Sequence, residues 1–425
     1  MLIVLFLSMF ALFIFGVPIA ISIGLASVIA LLWDGSIPLL VVGQRLITSI
    51  DMFTLMAIPT FILAGTLMEF GGISKRLVNF ANALTGHITG GLGLVAVVAA
   101  MFFAAISGSS AASVAAIGGI LIPAMVNRGY HKDFSAALQA VSGELGIIIP
   151  PSIAMILYGV STGTSIRDMF IAGIIPGIMI GVTLLIAVYV IAKKRGYRGD
   201  NTITWADRVK AFKEAILPLT MPVIILGGIY SGYFTPTEAG AVAALYAFII
   251  SVFVYKEIKL KDTFKILGKS AITSSIIMFI ISSAGLFAWI ISKEGLPRMA
   301  AEFFISISDS PFIFLILVNL FLLVVGMFLE TSVSIIILAP ILAPVAVQMG
   351  IDPVQFGMIM IVNLAIGMCT PPLGVNLFIS CQIADISLTR ITKAILPLLG
   401  LMILNLLLIS YIPWLSTGLI ELLAK

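Results

Sequence analysis

Gly146-Ile147-Ile148-Ile149-Pro150-Pro151 and Gly367-Met368-Cys369-Thr370-Pro371-Pro372 are two runs of one pattern, each set inside a long apolar stretch. Proline has no backbone N–H and clashes with the turn before it, so a Pro-Pro pair breaks a helix and frees carbonyls. Inside a bilayer no water is present to bond them. Each run therefore predicts a membrane helix broken near its middle, with carbonyls turned toward protein or toward a cation.

The rest of the chain agrees with a membrane setting. Of 425 residues, 61% are hydrophobic and 10% charged, and the mean hydropathy is +1.22, which excludes a soluble domain and predicts an all-α polytopic membrane protein. The apolar runs are near the roughly 20 residues of a helical span, not the alternating strands of an outer-membrane barrel. The first apolar stretch lacks a basic flank and a cleavage site and is read as retained. Cys369 and Cys381, the only cysteines, supply neither a disulfide framework nor a metal cluster. The net charge of +4 comes from basic residues at the ends of apolar segments, where they signal topology, not nucleic-acid binding.

In chain order, residues 2–15 and 18–33 read as two linked membrane segments, followed by a span at 53–70 and an interfacial amphipathic helix bearing Leu77, Phe80 and Leu84. Residues 92–127 carry Ser107-Gly108-Ser109-Ser110 at their middle and predict a re-entrant hairpin. A broken helix at 134–166 and a span at 170–192 complete a first repeat over 1–192, and a basic linker covers 193–215. Residues 216–425 repeat the plan: spans at 216–233, 236–255 and 271–291, a hairpin at 312–347 centred on Glu330-Thr331-Ser332, a broken helix at 353–384, and a last span at 394–413. One ungapped offset of about 221 residues takes Ser113 to Ser334, Pro123 to Pro344, Gly129 to Gly350, Gly146 to Gly367 and Pro176 to Pro397. With the hairpins not crossing, each repeat has an odd number of spans, so the repeats are inverted. Eighteen basic residues then fall on the side of the central linker, and only Arg45, Arg167, Lys293, Arg298 and Lys425 fall on the other. That asymmetry makes the linker cytoplasmic and both termini external.

Inverted repeats with paired hairpins and broken helices imply a secondary transporter with sites near mid-membrane. Ser107, Gly108, Ser109, Gly146, Ile149 and Pro150 compose one expected cation site. Glu330, Thr331, Ser332, Gly367, Cys369 and Thr370 compose the other. Hydroxyls and carbonyls are hard ligands, so Na+ is the expected ion. Ser110, Pro151, Ser152, Ser334, Pro372 and Asn376 are the expected substrate contacts, since helix N-termini at the breaks favour a small organic anion. Each feature also has a plain reading: small residues allow helices to pack closely, and Pro-Pro kinks a helix. Glu144, Glu238, Asn363 and Asn376 admit structural roles, whereas Glu330 in an apolar stretch reads as functional. An intramembrane serine hydrolase or a scaffold is the different-class alternative. Against a hydrolase, His87 and His131 both fall in connections.

The motifs Ser107–Ala112, Gly-x-x-x-Pro-Pro-Ser at 146–152, Thr-Pro-Thr-Glu-Ala-Gly at 235–240 and Gly-x-x-Thr-Pro-Pro-x-Gly-x-Asn at 367–376, with Ile58-Pro59, resemble the large membrane subunit of tripartite ATP-independent periplasmic (TRAP) transporters, the DctM or SiaM type. The resemblance covers nearly the whole chain. It implies a Na+-driven elevator in the bacterial inner membrane, with C4-dicarboxylates or sialic acids as substrates. It also implies two partners: a separate small four-helix membrane subunit and a periplasmic substrate-binding protein. A stand-alone Na+/dicarboxylate symporter is the alternative within the same fold. On the cation reading, Thr370→Ala removes one oxygen ligand and raises the Na+ concentration for half-maximal uptake; an unaltered Na+ titration removes Thr370 from the site.

Overall fold

A chain this apolar satisfies its backbone polar groups within helices. The computed structural model describes residues 1–199, 203–307 and 310–423, and among them there is no strand. Lys425, expected on the external side, lies outside these residues, as do residues 200–202 of the linker. Nine of the described helices are long and apolar enough to cross a membrane, or ten when Lys132–Ile148 and Ile153–Thr162, bent by 45°, count as one span.

The repeats are visible in the elements. Shifted by 221, Gly91–Ser107 falls on Pro311–Phe328, Ser110–Asn127 on Thr331–Gln348, and Ile153–Thr162 on Val375–Ala384, every end within two residues. Packing partners are exchanged between the repeats. Pro236–Ile249 lies on Ala57–Phe70, and its counterpart Ile19–Asp34 lies on Leu260–Lys293. Likewise Ile153–Thr162 packs against the second hairpin's arm Thr331–Gln348, and Val375–Ala384 packs against the first hairpin's arm Ser110–Asn127.

The Thr-Pro-Thr-Glu-Ala-Gly motif has a mechanical basis. Thr235 caps Pro236–Ile249 in a capping box with Glu238, which gives that carboxylate a structural role. Gly240 then meets Ala57–Phe70 so closely that a Cβ there would lie within 2.3 Å of Thr60 Oγ1.

Several expectations need adjustment. The linker region is helical from Trp205, where Thr204 and Asp207 form a second capping box, so the span Trp205–Tyr230 begins well before residue 216. The connection before the span expected at 271 is likewise helical from Leu260. Leu296–Ile307, between the span expected at 271–291 and the hairpin expected at 312–347, is a helix and the counterpart of the amphipathic Ile73–Thr85. That helix buries Ile73, Leu77, Val78 and Ala81, while Leu84 is exposed. By helical period Leu84 shares the face of Ile73 and Leu77, but it sits in the last turn, beyond the residues that pack. The first broken helix ends at Thr162, before Gly163 at φ +76°.

The hairpins differ. Arms Gly91–Ser107 and Ser110–Asn127 pack on each other, whereas Pro311–Phe328 leaves Thr331–Gln348 and packs on Pro353–Gly367. Gly326 and Gly367 make that approach possible, for a Cβ on Gly367 would lie 2.4 Å from Gly326 Cα. Backbone cannot yield as a side chain can. Gly367→Ala therefore lowers the thermal unfolding midpoint in detergent, by an overpacking cost of roughly 1–3 kcal/mol. Gly268→Ala, inside the helix Leu260–Lys293 with nothing within 4 Å of the new Cβ, leaves it unchanged or raises it slightly; equal midpoints for the two variants contradict the close packing.

Candidate functional site

The first hairpin tip closes onto the first break. Gly108 turns the chain at φ +62°, a conformation open to glycine, and a Cβ there would lie 3.0 Å from the Pro151 carbonyl. Ile153 N–H donates to the Gly108 carbonyl at 3.3 Å. Gly146 passes so close that its Cβ would stand 2.5 Å from both the Ser109 carbonyl and Ser113 Oγ. Around this contact, Ser107 Oγ lies 3.1 Å from Ser113 Oγ, and the Ser109 carbonyl accepts from Ser113 Oγ at 2.9 Å and from Ser107 Oγ at 3.4 Å. The cluster consists of uncharged hard oxygens, the donor type of an alkali cation. Ser113 is the residue sequence reasoning left out, although its repeat counterpart Ser334 was included.

The remaining first-break residues close the chain on itself. Ser152 Oγ donates to the Ile147 carbonyl at 2.7 Å. The Ile149 side chain packs toward Gly177, and Pro150 toward Gly173. Both Pro150-Pro151 and Pro371-Pro372 are cis.

At the second tip Glu330 turns back on its own helix. Its Oε2 accepts from the N–H groups of Ser332 at 2.8 Å and Val333 at 3.4 Å, and Oε1 accepts from Ser332 Oγ at 3.0 Å. A carboxylate is well placed at the positive end of a helix dipole, so a cap accounts for this acid in an apolar stretch. Thr331 Oγ1 reaches Met368 Sδ at 3.1 Å. The Ser334 and Thr370 hydroxyls donate within their own turns, to the carbonyls of Glu330 and Ile366. Among the described residues no backbone bond joins this tip to its break as Ile153–Gly108 does at the first. Pro151 is buried and Pro372 exposed.

Two second-break side chains serve the other repeat. Asn376 Nδ2 donates to Ser110 Oγ at 2.7 Å and to the Ala140 carbonyl at 3.3 Å. Cys369 Sγ donates to that same carbonyl at 3.1 Å. Their place is thus beside the first hairpin, because Val375–Ala384 packs on Ser110–Asn127. Glu144 is fully buried next to Cys369. Asn363 donates to the Asn319 carbonyl and Oδ1, and Asn319 donates to Ser410 Oγ, so Asn363 braces helices and contacts no tip.

Both tips open into one cavity of about 640 Å3. Ser107–Ser110 line it from the first repeat and Glu330, Ser332 and Met368 from the second. Its far wall is Ala57–Phe70 and Leu260–Lys293, which contribute Thr66, Glu69, Lys269 and Thr273. Pro151, Ser152, Ser334, Pro372 and Asn376 do not line it. No group of three or more His, Cys, Asp or Glu gathers among the described residues.

Two hairpin tips, each set against a broken helix and both opening into one cavity, define a polytopic membrane transport protein. The family model described as "Tripartite ATP-independent periplasmic transporter, DctM component" matches residues 6–415, and the chain belongs to that family. It is a membrane-embedded large permease of TRAP type and not an enzyme. The C4-dicarboxylate TRAP transporter large permease DctM of Rhodobacter capsulatus is 43% identical, the match covering 99% of each chain. The sialic acid TRAP transporter large permease SiaM of Vibrio cholerae is 40% identical over 94% of this chain and 93% of that one. The crystal structure of the Alcanivorax borkumensis YdaH transporter has a similar fold, with a TM-score of 0.68 over 89% of both chains at 14% identity.

The Asn376–Ser110 bond is buried and joins the repeats, so removing one partner strands the other. Asn376→Ala and Ser110→Ala each cost about 1–3 kcal/mol, and a double-mutant cycle read by thermal unfolding gives a coupling of about 0.5–3 kcal/mol. Additive effects count against the bridge.

Proposed function

We propose that the chain couples Na+ entering the cell to uptake of a small organic anion, a C4-dicarboxylate or a sialic acid, across the bacterial inner membrane. The observation that carries this reading is the cavity shared by the two hairpin tips, lined near Ser107 and Ser109 by uncharged oxygen donors. Na+ is cargo here. Ser107, Ser109 and Ser113 hold it at the first tip; Thr331, Ser332 and backbone carbonyls near Met368 and Thr370 hold it at the second. The names of the relatives from Rhodobacter capsulatus and Vibrio cholerae favour the two substrate classes.

An elevator movement suits the packing. The exchanged pairs Pro236–Ile249 on Ala57–Phe70 and Ile19–Asp34 on Leu260–Lys293 form one body of helices, and the hairpins with the broken helices form another, with the cavity between them. Sliding of the second body past the first carries the bound ions and anion across the membrane. The partners in this reading are a four-helix membrane subunit and a periplasmic binding protein, with both termini of the chain periplasmic.

Reconstitution tests it. Proteoliposomes holding this chain with both partners take up labelled anion under an inward Na+ gradient, and omission of either partner abolishes uptake. Uptake by the chain alone overturns the tripartite reading in favour of a stand-alone symporter. Ser113→Ala, which removes an oxygen from the first cluster, raises the Na+ half-saturation; a wild-type Na+ response excludes that cluster.

A further inference from the structure

Among the described residues, Lys269 is the only basic one lining the cavity between the hairpin tips; the other charged lining residues are Glu69 and Glu330. Glu330 is engaged by the N–H groups of its own helix. Lys269 is held loosely: its Nζ lies 3.5 Å from Glu69 Oε1 and 4.6 Å from the centre of the Phe70 ring. Both side chains of the pair are partly exposed, 52% for Lys269 and 34% for Glu69. An ion pair this long and this wet is weak, so a ligand carboxylate can take Glu69's place.

The position along the helix matters as much. Gly65 lies against the first tip, where a Cβ would stand 3.4 Å from the Ser107 carbonyl. Glu69 follows four residues later on Ala57–Phe70, a rise of about 6 Å. On the facing helix, Thr273 sits one turn above Lys269 and also lines the cavity. The ammonium therefore stands roughly one helical turn along Ala57–Phe70 from the Ser107–Ser109 oxygens, within the same cavity.

We infer that Lys269 is the counter-charge for one carboxylate of the transported anion, that Glu69 occupies the ammonium between turnovers, and that this makes the cavity selective for a small dicarboxylate. The inference rests on the Na+-coupled reading above. With Na+ at the Ser107 tip and an ammonium about one helical turn away, the cavity presents two separated cations, the pattern that matches a dianion and discriminates against a monoanion. Lysine suits the task because its ammonium is a mobile point charge with three donors, able to exchange one carboxylate for another.

Succinate is the probe, taken up by the complete complex in proteoliposomes under an inward Na+ gradient. Lys269→Met raises the KM for succinate at least tenfold while the Na+ half-saturation stays at the wild-type value, a split that a general packing defect does not produce. Lys269→Arg keeps the charge and restores KM to within about threefold of wild type. Glu69→Gln removes the competing carboxylate and lowers KM about threefold, so the proposal is tested even where Lys269→Met fails to assemble. Wild-type succinate uptake with an unchanged KM in both Lys269→Met and Glu69→Gln overturns this inference alone. A wild-type complex that moves Na+ and another anion but no succinate overturns the dicarboxylate selectivity, and one that shows no Na+-driven uptake at all overturns the underlying reading with it.

Discussion

A peptide carbonyl freed inside a bilayer must be bonded by the protein or by something the protein carries, because leaving it bare costs several kcal/mol. This chain breaks a helix at two places, bonds carbonyls of each break from within, through Ser152 Oγ to Ile147 and Asn376 N–H to Met368, and sets a hairpin tip against each break. At the first, Gly108 and Gly146 bring backbone against backbone, and the Ile153 N–H bond to the Gly108 carbonyl ties tip to break. At the second, the tip caps itself through Glu330 and touches its break through Thr331 and Met368. Duplicated sequence has produced one sealed junction and one looser one.

Much of this was legible in the residues. Pro-Pro with an upstream glycine marked the breaks, Ser-Gly-Ser-Ser marked a turn between antiparallel arms, and the constant offset revealed the repeat. What was not legible was the exchange of partners. Asn376 and Cys369 stand in the second break by sequence, but Val375–Ala384 packs on the first hairpin and delivers them to Ser110 and Ala140. Periodicity identifies the buried face of a helix but not the helix that buries it. Charge content likewise disguised helix starts. The basic linker became a helix from Trp205 because Thr204 and Asp207 bond its first N–H groups, which outweighs the polarity of the residues around them. Splaying of the second hairpin depends on Gly326 meeting Gly367, a pairing between helices that neither glycine announces alone.

The electrostatics of the cavity follow from the same asymmetry. Glu330 spends its charge on the N-terminus of Thr331–Gln348, while Ser109, the equivalent residue in the first repeat, brings a neutral hydroxyl to Ser110–Asn127. The two tips therefore enter one space with different charge. Lys269 and Glu69 have no counterpart pair in the repeat: the offset takes Glu69 to Ile290 and Lys269 back to Thr48. The features unique to one half are those that distinguish one part of the cavity from another.

Partner exchange also bears on how the molecule is made. The first hairpin is synthesised more than 200 residues before Val375–Ala384, the helix that packs against it. Contacts this distant in sequence form late. During translation the first repeat therefore enters the bilayer with one flank unfilled, the Ser110 hydroxyl lacking Asn376 and the Ala140 carbonyl lacking Cys369. Neither half is a finished folding unit. Assembly is completed only when the last third of the chain arrives, bringing the partners of the Ser110 hydroxyl and the Ala140 carbonyl.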